Sequence, residues 1–177
     1  MNSALRLGFL LCLTLLVVLP ACGRAGLRGP LELASAAQNH VTVKIAFERD
    51  PAGAAWLAAT FTPNDPGFHL YSKDLPRGGL DGLGRPTLLE LTAGSHLQAV
   101  GMMSESVPAE ECPGLEGVLV YPAGPVTLRL PISLPPGKGW FDEHVSVTYM
   151  ACSEAACLPP VENKLITIRI PGKEELH

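Results

Sequence analysis

The sequence predicts an all-β protein built as an antiparallel β-sandwich, and three observations carry that expectation. Apolar and polar residues alternate through short segments, as in His40-Val-Thr-Val-Lys-Ile-Ala-Phe-Glu48, so one face of each segment can be buried. Turn-forming residues punctuate the segments, with 17 prolines and 18 glycines in the chain. No stretch carries the apolar period of an amphipathic helix of ordinary length.

Taken in order, the first strand is expected over 40–48, with Val41, Val43, Ile45 and Phe47 on its buried face. Ala54 to Phe61 is its expected partner, bounded by Asp50-Pro51 and by the turn cluster Pro63-Asn64-Asp65-Pro66. Phe68 to Tyr71, Thr87 to Leu91 and His96 to Met102 follow. The later half repeats the pattern at Gly117 to Tyr121, Val126 to Ile132, Val145 to Met150 and Lys164 to Ile170. Val126, Leu128, Leu130 and Ile132 share one face. In the last segment either Leu165, Thr167 and Arg169 or Ile166, Ile168 and Ile170 face inward, and alternation alone does not choose. The run Gly78-Gly-Leu-Asp-Gly-Leu-Gly84 has no helix after it to complete a phosphate site, so it reads as a solvent-exposed loop. No cofactor-binding motif is expected.

The N-terminus points to export. Arg6 precedes an apolar run, Leu7 to Leu19, that is short for a membrane span and suits a signal-peptide core. Leu19-Pro20-Ala21-Cys22 resembles a bacterial lipobox, which makes Cys22 the expected lipidation site. The division expected is a signal peptide over 1–21, a lipidated Cys22 with a flexible tether to 37, a domain over 38–172 and a tail over 173–177. Removing the signal leaves roughly 150 residues, enough for one domain with a real core. A net charge of −4 with 6% aromatics gives no reason to expect nucleic-acid binding. Contact with a membrane is expected only through the N-terminal lipid.

Five cysteines are encoded. With Cys12 in the signal and Cys22 carrying lipid, Cys112, Cys152 and Cys157 remain in a compartment that permits disulfides. Cys152 and Cys157 are close enough in sequence to bond. Closing about six residues stabilises a fold by only roughly 2 kcal/mol, so the pair reads better as a redox couple than as a staple. Pro159-Pro160 stiffens the chain beyond it. No Lys, Arg or His lies between the two cysteines, so little thiolate activation is expected. Met102, Met103, His96 and the cysteines are soft ligands suited to copper, but no spacing ties them together and no metal is expected. His69 and His144 could sit close to the pair, but an isolated histidine on a strand reads as a surface or core residue, and neither is expected to act as an acid–base group.

The segment Val147-Thr-Tyr-Met-Ala-Cys152-Ser-Glu-Ala-Ala-Cys157-Leu-Pro-Pro160 resembles the cysteine motif of the N-terminal periplasmic domain of the thiol:disulfide interchange protein DsbD. Gly67-Phe-His-Leu-Tyr71, Gly84-Arg-Pro-Thr-Leu-Leu-Glu-Leu91 and Gly124-Pro-Val-Thr-Leu-Arg-Leu-Pro-Ile132 follow that family's order, so the resemblance spans about residues 38 to 171. It implies an immunoglobulin-like sandwich whose cysteines cycle between dithiol and disulfide. Cys157 would form the mixed disulfide and Cys152 would resolve it. Reducing equivalents would come from a separate membrane donor or a thioredoxin-like protein and pass to exported disulfide-bearing proteins. Tyr71 and Tyr149 are expected to pack near the pair. The region 104–117, where the family has a cap over its cysteines, here contains Cys112, read as a thiol without a role, as a regulatory or third redox member pairing with Cys152 or Cys157, or as one half of an intermolecular bond. The competing expectation is a non-catalytic immunoglobulin-like interaction module with a structural Cys152–Cys157 disulfide.

Overall fold

The computed structural model describes residues 29–176; the expected signal segment 1–21 and the lipidation site Cys22 lie outside the described residues. Thirteen strands are formed there: β1 (Leu31–Gln38), β2 (Val41–Arg49), β3 (Ala55–Pro63), β4 (His69–Leu70), β5 (Leu88–Leu91), β6 (Gln98–Ala99), β7 (Ser104–Glu105), β8 (Glu110–Glu111), β9 (Leu119–Val120), β10 (Val126–Ser133), β11 (Trp140–Tyr149), β12 (Ala151–Cys152) and β13 (Val161–Pro171). A 3₁₀ turn, Lys173–Leu176, follows. The larger sheet runs β1-β2-β3-β10, with β6 and β7 paired to the outer edge of β10. The second sheet runs β13-β11-β5, and two small pairs, β12-β4 and β8-β9, lie outside both. Every strand pairing is antiparallel. The architecture is thus the expected all-β, immunoglobulin-like sandwich.

The core forms where the apolar faces of the two sheets meet. Val41, Val43, Ile45 and Phe47 of β2 are at most 1% exposed, and Val126, Leu128, Leu130 and Ile132 of β10 are buried beside them. Val145, Val147 and Tyr149 of β11 and Ile166, Ile168 and Ile170 of β13 face them from the other sheet. The choice that alternation left open in the last strand is therefore made: the isoleucines point inward and Leu165 outward.

Residues 31–37 correct the expected tether. Leu31–Gln38 pairs with β2 through the turn Asn39-His40, with Gln38 opposite Val41. Asn39 and His40 have φ of 48° and 57°, as a two-residue hairpin turn requires at both central positions. The small side chains of β1 hid its alternation, and the turn lacks a glycine that would have announced it. β1 also packs on β13, and the Lys164 ammonium reaches Gln38 Oε1 at 2.6 Å.

β11 starts five residues before the expected Val145, because an acid occupies an inward position. Glu143 is 3% exposed. Its carboxylate accepts hydrogen bonds from Ser95 Oγ at 2.7 Å and from the His96 backbone N–H at 3.2 Å, and pairs with His96 Nδ1 at 2.8 Å. It closes the 92–97 turn onto β11. Glu143→Ala should lower the unfolding free energy by about 3 kcal/mol, since it leaves several donors unpaired. A urea titration should show a lower midpoint at unchanged slope.

Candidate redox site

The cysteines lie in a hairpin that continues β11. After a register shift between Val147 and Tyr149, the chain leaves the main sheet as β12 and pairs with β4, Ala151 opposite Leu70 and Cys152 opposite His69. It turns back over 153–156. Ser153 N–H donates to the Ala156 carbonyl at 2.8 Å and Leu158 N–H to the Ala151 carbonyl at 2.9 Å. Ser153 Oγ accepts from the Ala155 and Ala156 amides at 3.3 and 3.2 Å. These bonds set Cys152 and Cys157 directly opposite each other with Cα atoms 4.0 Å apart. Facing residues in a non-hydrogen-bonded antiparallel pair ordinarily stand about 4.5 Å apart at Cα, and this pair is closer still. The two form a disulfide.

The sulfurs' residues differ in access. Cys152 is 2% exposed and belongs to a second apolar cluster with Tyr71, Leu75, Val118 and Val120, whereas Cys157 is exposed. Thiol attack needs an approachable sulfur, and only Cys157 presents a residue open to solvent.

Tyr71 underlies the pair. As the diagonal neighbour of Cys152 across the β4–β12 ladder, its long side chain reaches the sulfurs, with Oη 3.1 Å from Cys152 Sγ and 3.9 Å from Cys157 Sγ. Its phenol is held above its usual range, first by burial and then by the nearby Cys112, so it stays protonated and available as a donor. The Tyr71 carbonyl takes Thr87 Oγ1 at 2.7 Å. A Cβ at Gly84, whose φ is +77°, would stand 2.7 Å from the Tyr71 ring. The end of the glycine-rich loop thus has a packing duty: Gly84 is buried against Tyr71, while much of 78–82 is exposed.

Other expected site residues are placed differently. Tyr149 is not beside the disulfide. It lies in the main core, edge-on to Phe61 at 5.7 Å, and its hydroxyl donates to the Gln38 carbonyl at 3.0 Å. The reason is strand alternation: Val145, Val147, Tyr149 and Ala151 face the main core, so Cys152, three residues beyond Tyr149, turns to the opposite side and joins Met150 in the second cluster. Cys112 is a half-buried free thiol in the β8–β9 hairpin; it packs against the cluster that holds Tyr71 and Cys152. Met102 is 92% exposed and His96 is tied to Glu143, so the soft ligands are not brought together.

Two residues around Tyr71 and Cys152 were given no role by the sequence reading. Tyr121 accepts the Lys73 amide at 3.0 Å and donates to Glu105 at 3.0 Å, fixing the chain just after Tyr71; burial first of all raises its phenol. His69 faces Cys152. Alternation alone places it on the same face as Tyr71, which was the available signal.

The chain is therefore an antiparallel sandwich that carries a disulfide with one accessible cysteine in a hairpin at its end. It is similar to the reduced N-terminal domain of DsbD from Neisseria meningitidis, at 18% identity and a TM-score of 0.47, covering 75% of this chain and 86% of that one. It is also similar to the N-terminal periplasmic domain of ScsB from Proteus mirabilis, at 14% identity and a TM-score of 0.48, covering 81% of this chain and 52% of that one. No protein-family model and no curated protein sequence matches it.

Two substitutions test the support beneath the pair. Tyr71→Phe should slow reduction of the disulfide by dithiothreitol about tenfold, because the Cys152 thiolate loses a charge-assisted bond of roughly 1.4 kcal/mol. An unchanged rate would remove Tyr71 from the site. Gly84→Ala should cost about 2 kcal/mol of stability, through a strained φ and a clash with the Tyr71 ring, measurable as a lowered Tm.

Proposed function

We propose that this chain is an extracytoplasmic thiol–disulfide exchange protein of the protein-disulfide reductase type, working through Cys152 and Cys157. The observation that carries the reading is the unequal access of two cysteines held face to face. Backbone bonds on both sides of the pair close the hairpin, so the disulfide adds little to a loop that is already shut. A bond with little structural work and one accessible end suits repeated opening and closing.

In reduction, an incoming thiolate attacks Cys157 Sγ, the Cys152–Cys157 bond breaks, and the electron pair goes to Cys152, which accepts the Tyr71 hydroxyl. A second thiol of the donor then releases Cys157. In delivery the order reverses: Cys157 thiolate attacks a target disulfide, and Cys152 displaces the reduced target. The donor on this reading is a separate membrane protein or a thioredoxin-like protein, and the acceptors are exported proteins with disulfides. The signal-like N-terminus and the expected lipid on Cys22 would hold the domain in the periplasm or cell envelope, within reach of both.

The reading is tested by the reduction potential and by trapping. Thiol trapping across glutathione buffers should give a value roughly between −270 and −180 mV. Cys152→Ser should accumulate mixed disulfides on Cys157, whereas Cys157→Ser should accumulate none. A potential below about −300 mV, with a Cys152→Ser/Cys157→Ser double variant that keeps partner binding, would instead identify an interaction module with a structural disulfide.

A further inference from the structure

Resolution has a chemical requirement that the cysteines alone do not meet. For Cys152 to expel a target from Cys157 it must first lose its proton, and it is 2% exposed, which disfavours the thiolate. No Lys or Arg lies between the cysteines. Some group beside Cys152 has to take that proton.

Among the described residues, the histidines single out one candidate. His40 pairs with Asp65 at 2.6 Å, His96 with Glu143 at 2.8 Å, and His144 Nδ1 with Thr167 Oγ1 at 3.1 Å. His69 has no hydrogen-bond partner for its ring among the described residues, and no carboxylate there pairs with it. It is the residue directly opposite Cys152 in the β4–β12 ladder, and facing residues of an antiparallel pair carry their side chains on one face of the sheet, about 5 Å apart at Cβ. Its ring stands edge-on to that of Tyr71, 6.0 Å between centroids, and Tyr71 itself touches Cys152 Sγ. The titratable groups around it are Tyr71 on its own strand, Cys152 and Cys157 on the facing hairpin, and Cys112 beyond Tyr71. Burial lowers the His69 pKa, so the imidazole is neutral near pH 7, in the form that accepts a proton.

We propose that His69 is the proton acceptor for Cys152, taking the thiol proton as that sulfur resolves a mixed disulfide held on Cys157; this rests on the exchange reading of the pair. The proton moves from Cys152 Sγ to the imidazole, and the Cys152 thiolate attacks Cys157 Sγ. The Cys152–Cys157 bond forms as the bond from Cys157 to the target sulfur breaks. The target leaves as a thiolate and is protonated by the imidazolium. The target disulfide has then gained two electrons and the dithiol has lost two.

The test uses the reduced protein in a Cys112→Ser background, mixed with an aromatic disulfide whose thiolate is coloured. One equivalent of colour is released when Cys157 attacks and a second when Cys152 resolves. His69→Ala should slow the second release roughly 100-fold at pH 7, leave the first unchanged, and regain speed on addition of imidazole. His69→Gln, which keeps size and polarity but accepts no proton, should be slow as well. Circular dichroism confirms that each variant is folded. A second release within twofold of the parent in both variants, or a slow release that imidazole does not restore, overturns the assignment while leaving the exchange reading intact. A parent protein that releases only one equivalent overturns both.

Discussion

The cross-strand facing of Cys152 and Cys157 is the constraint on which the rest of the site depends. Both residues are fixed by main-chain bonds on either side of them, so their approach owes nothing to side-chain flexibility. The asymmetry between them follows from where each strand lies. β12 is laid against β4 and beneath the β8–β9 hairpin, which buries Cys152 in an apolar cluster. The returning strand is an edge that pairs only with β12, which leaves Cys157 open. One sulfur can thus be kept from solvent while the other is offered to it, on a backbone that need not move.

That arrangement needs a firm floor, and the floor is built from distant parts of the chain. Tyr71 is anchored through its own carbonyl by Thr87 and against its ring by Gly84. Arg85 then ties the glycine-rich loop down, with its guanidinium on the carbonyl of Gly84 at 2.6 Å and on the Glu162 carboxylate of β13. Asn39, in the turn that starts β2, donates to the Pro159 carbonyl at 2.7 Å, just beyond the cysteines. The site is therefore braced from the β1–β2 turn, the 78–85 loop and the start of β13, while the sandwich core supplies the rigid frame to which all three are attached.

Much of this was legible before any coordinates. Strands whose apolar residues alternate cleanly, β2 and β10 above all, were readable because each buries one face and exposes the other. The cysteine hairpin was readable because its spacing and its prolines are unusual. The elements that went unread each break the pattern for a physical reason. β1 uses alanines, whose burial leaves little contrast, and turns through Asn39-His40 without a glycine. The start of β11 puts Glu143 inward, where four hydrogen bonds or ion contacts satisfy it. Tyr149 is near Cys152 along the chain but not in space: three residues separate them, and the period of two on a strand sends their side chains to opposite faces. His69 was passed over because its significance lies in what stands across from it.

The absence of an α-helix among the described residues bears on the direction that electron flow would take in the proposed exchange. In exchange proteins that oxidise their targets, the reduced form is favoured because a thiolate is stabilised, often by a helix N-terminus or a neighbouring cation. Here the sandwich offers neither to the pair: Cys152 is buried among apolar residues, and the acidic Glu154 sits between the cysteines. Its polar neighbours of known position are a protonated tyrosine hydroxyl and a neutral imidazole. If the pair exchanges as proposed, such surroundings leave the dithiol without a strong preference for staying reduced, so that it would give up its electrons readily. On the proposed reading, a scaffold poor in thiolate stabilisation is what a reductant requires, and the Tyr71 hydroxyl then supplies enough help for Cys152 to leave when the pair must be recharged.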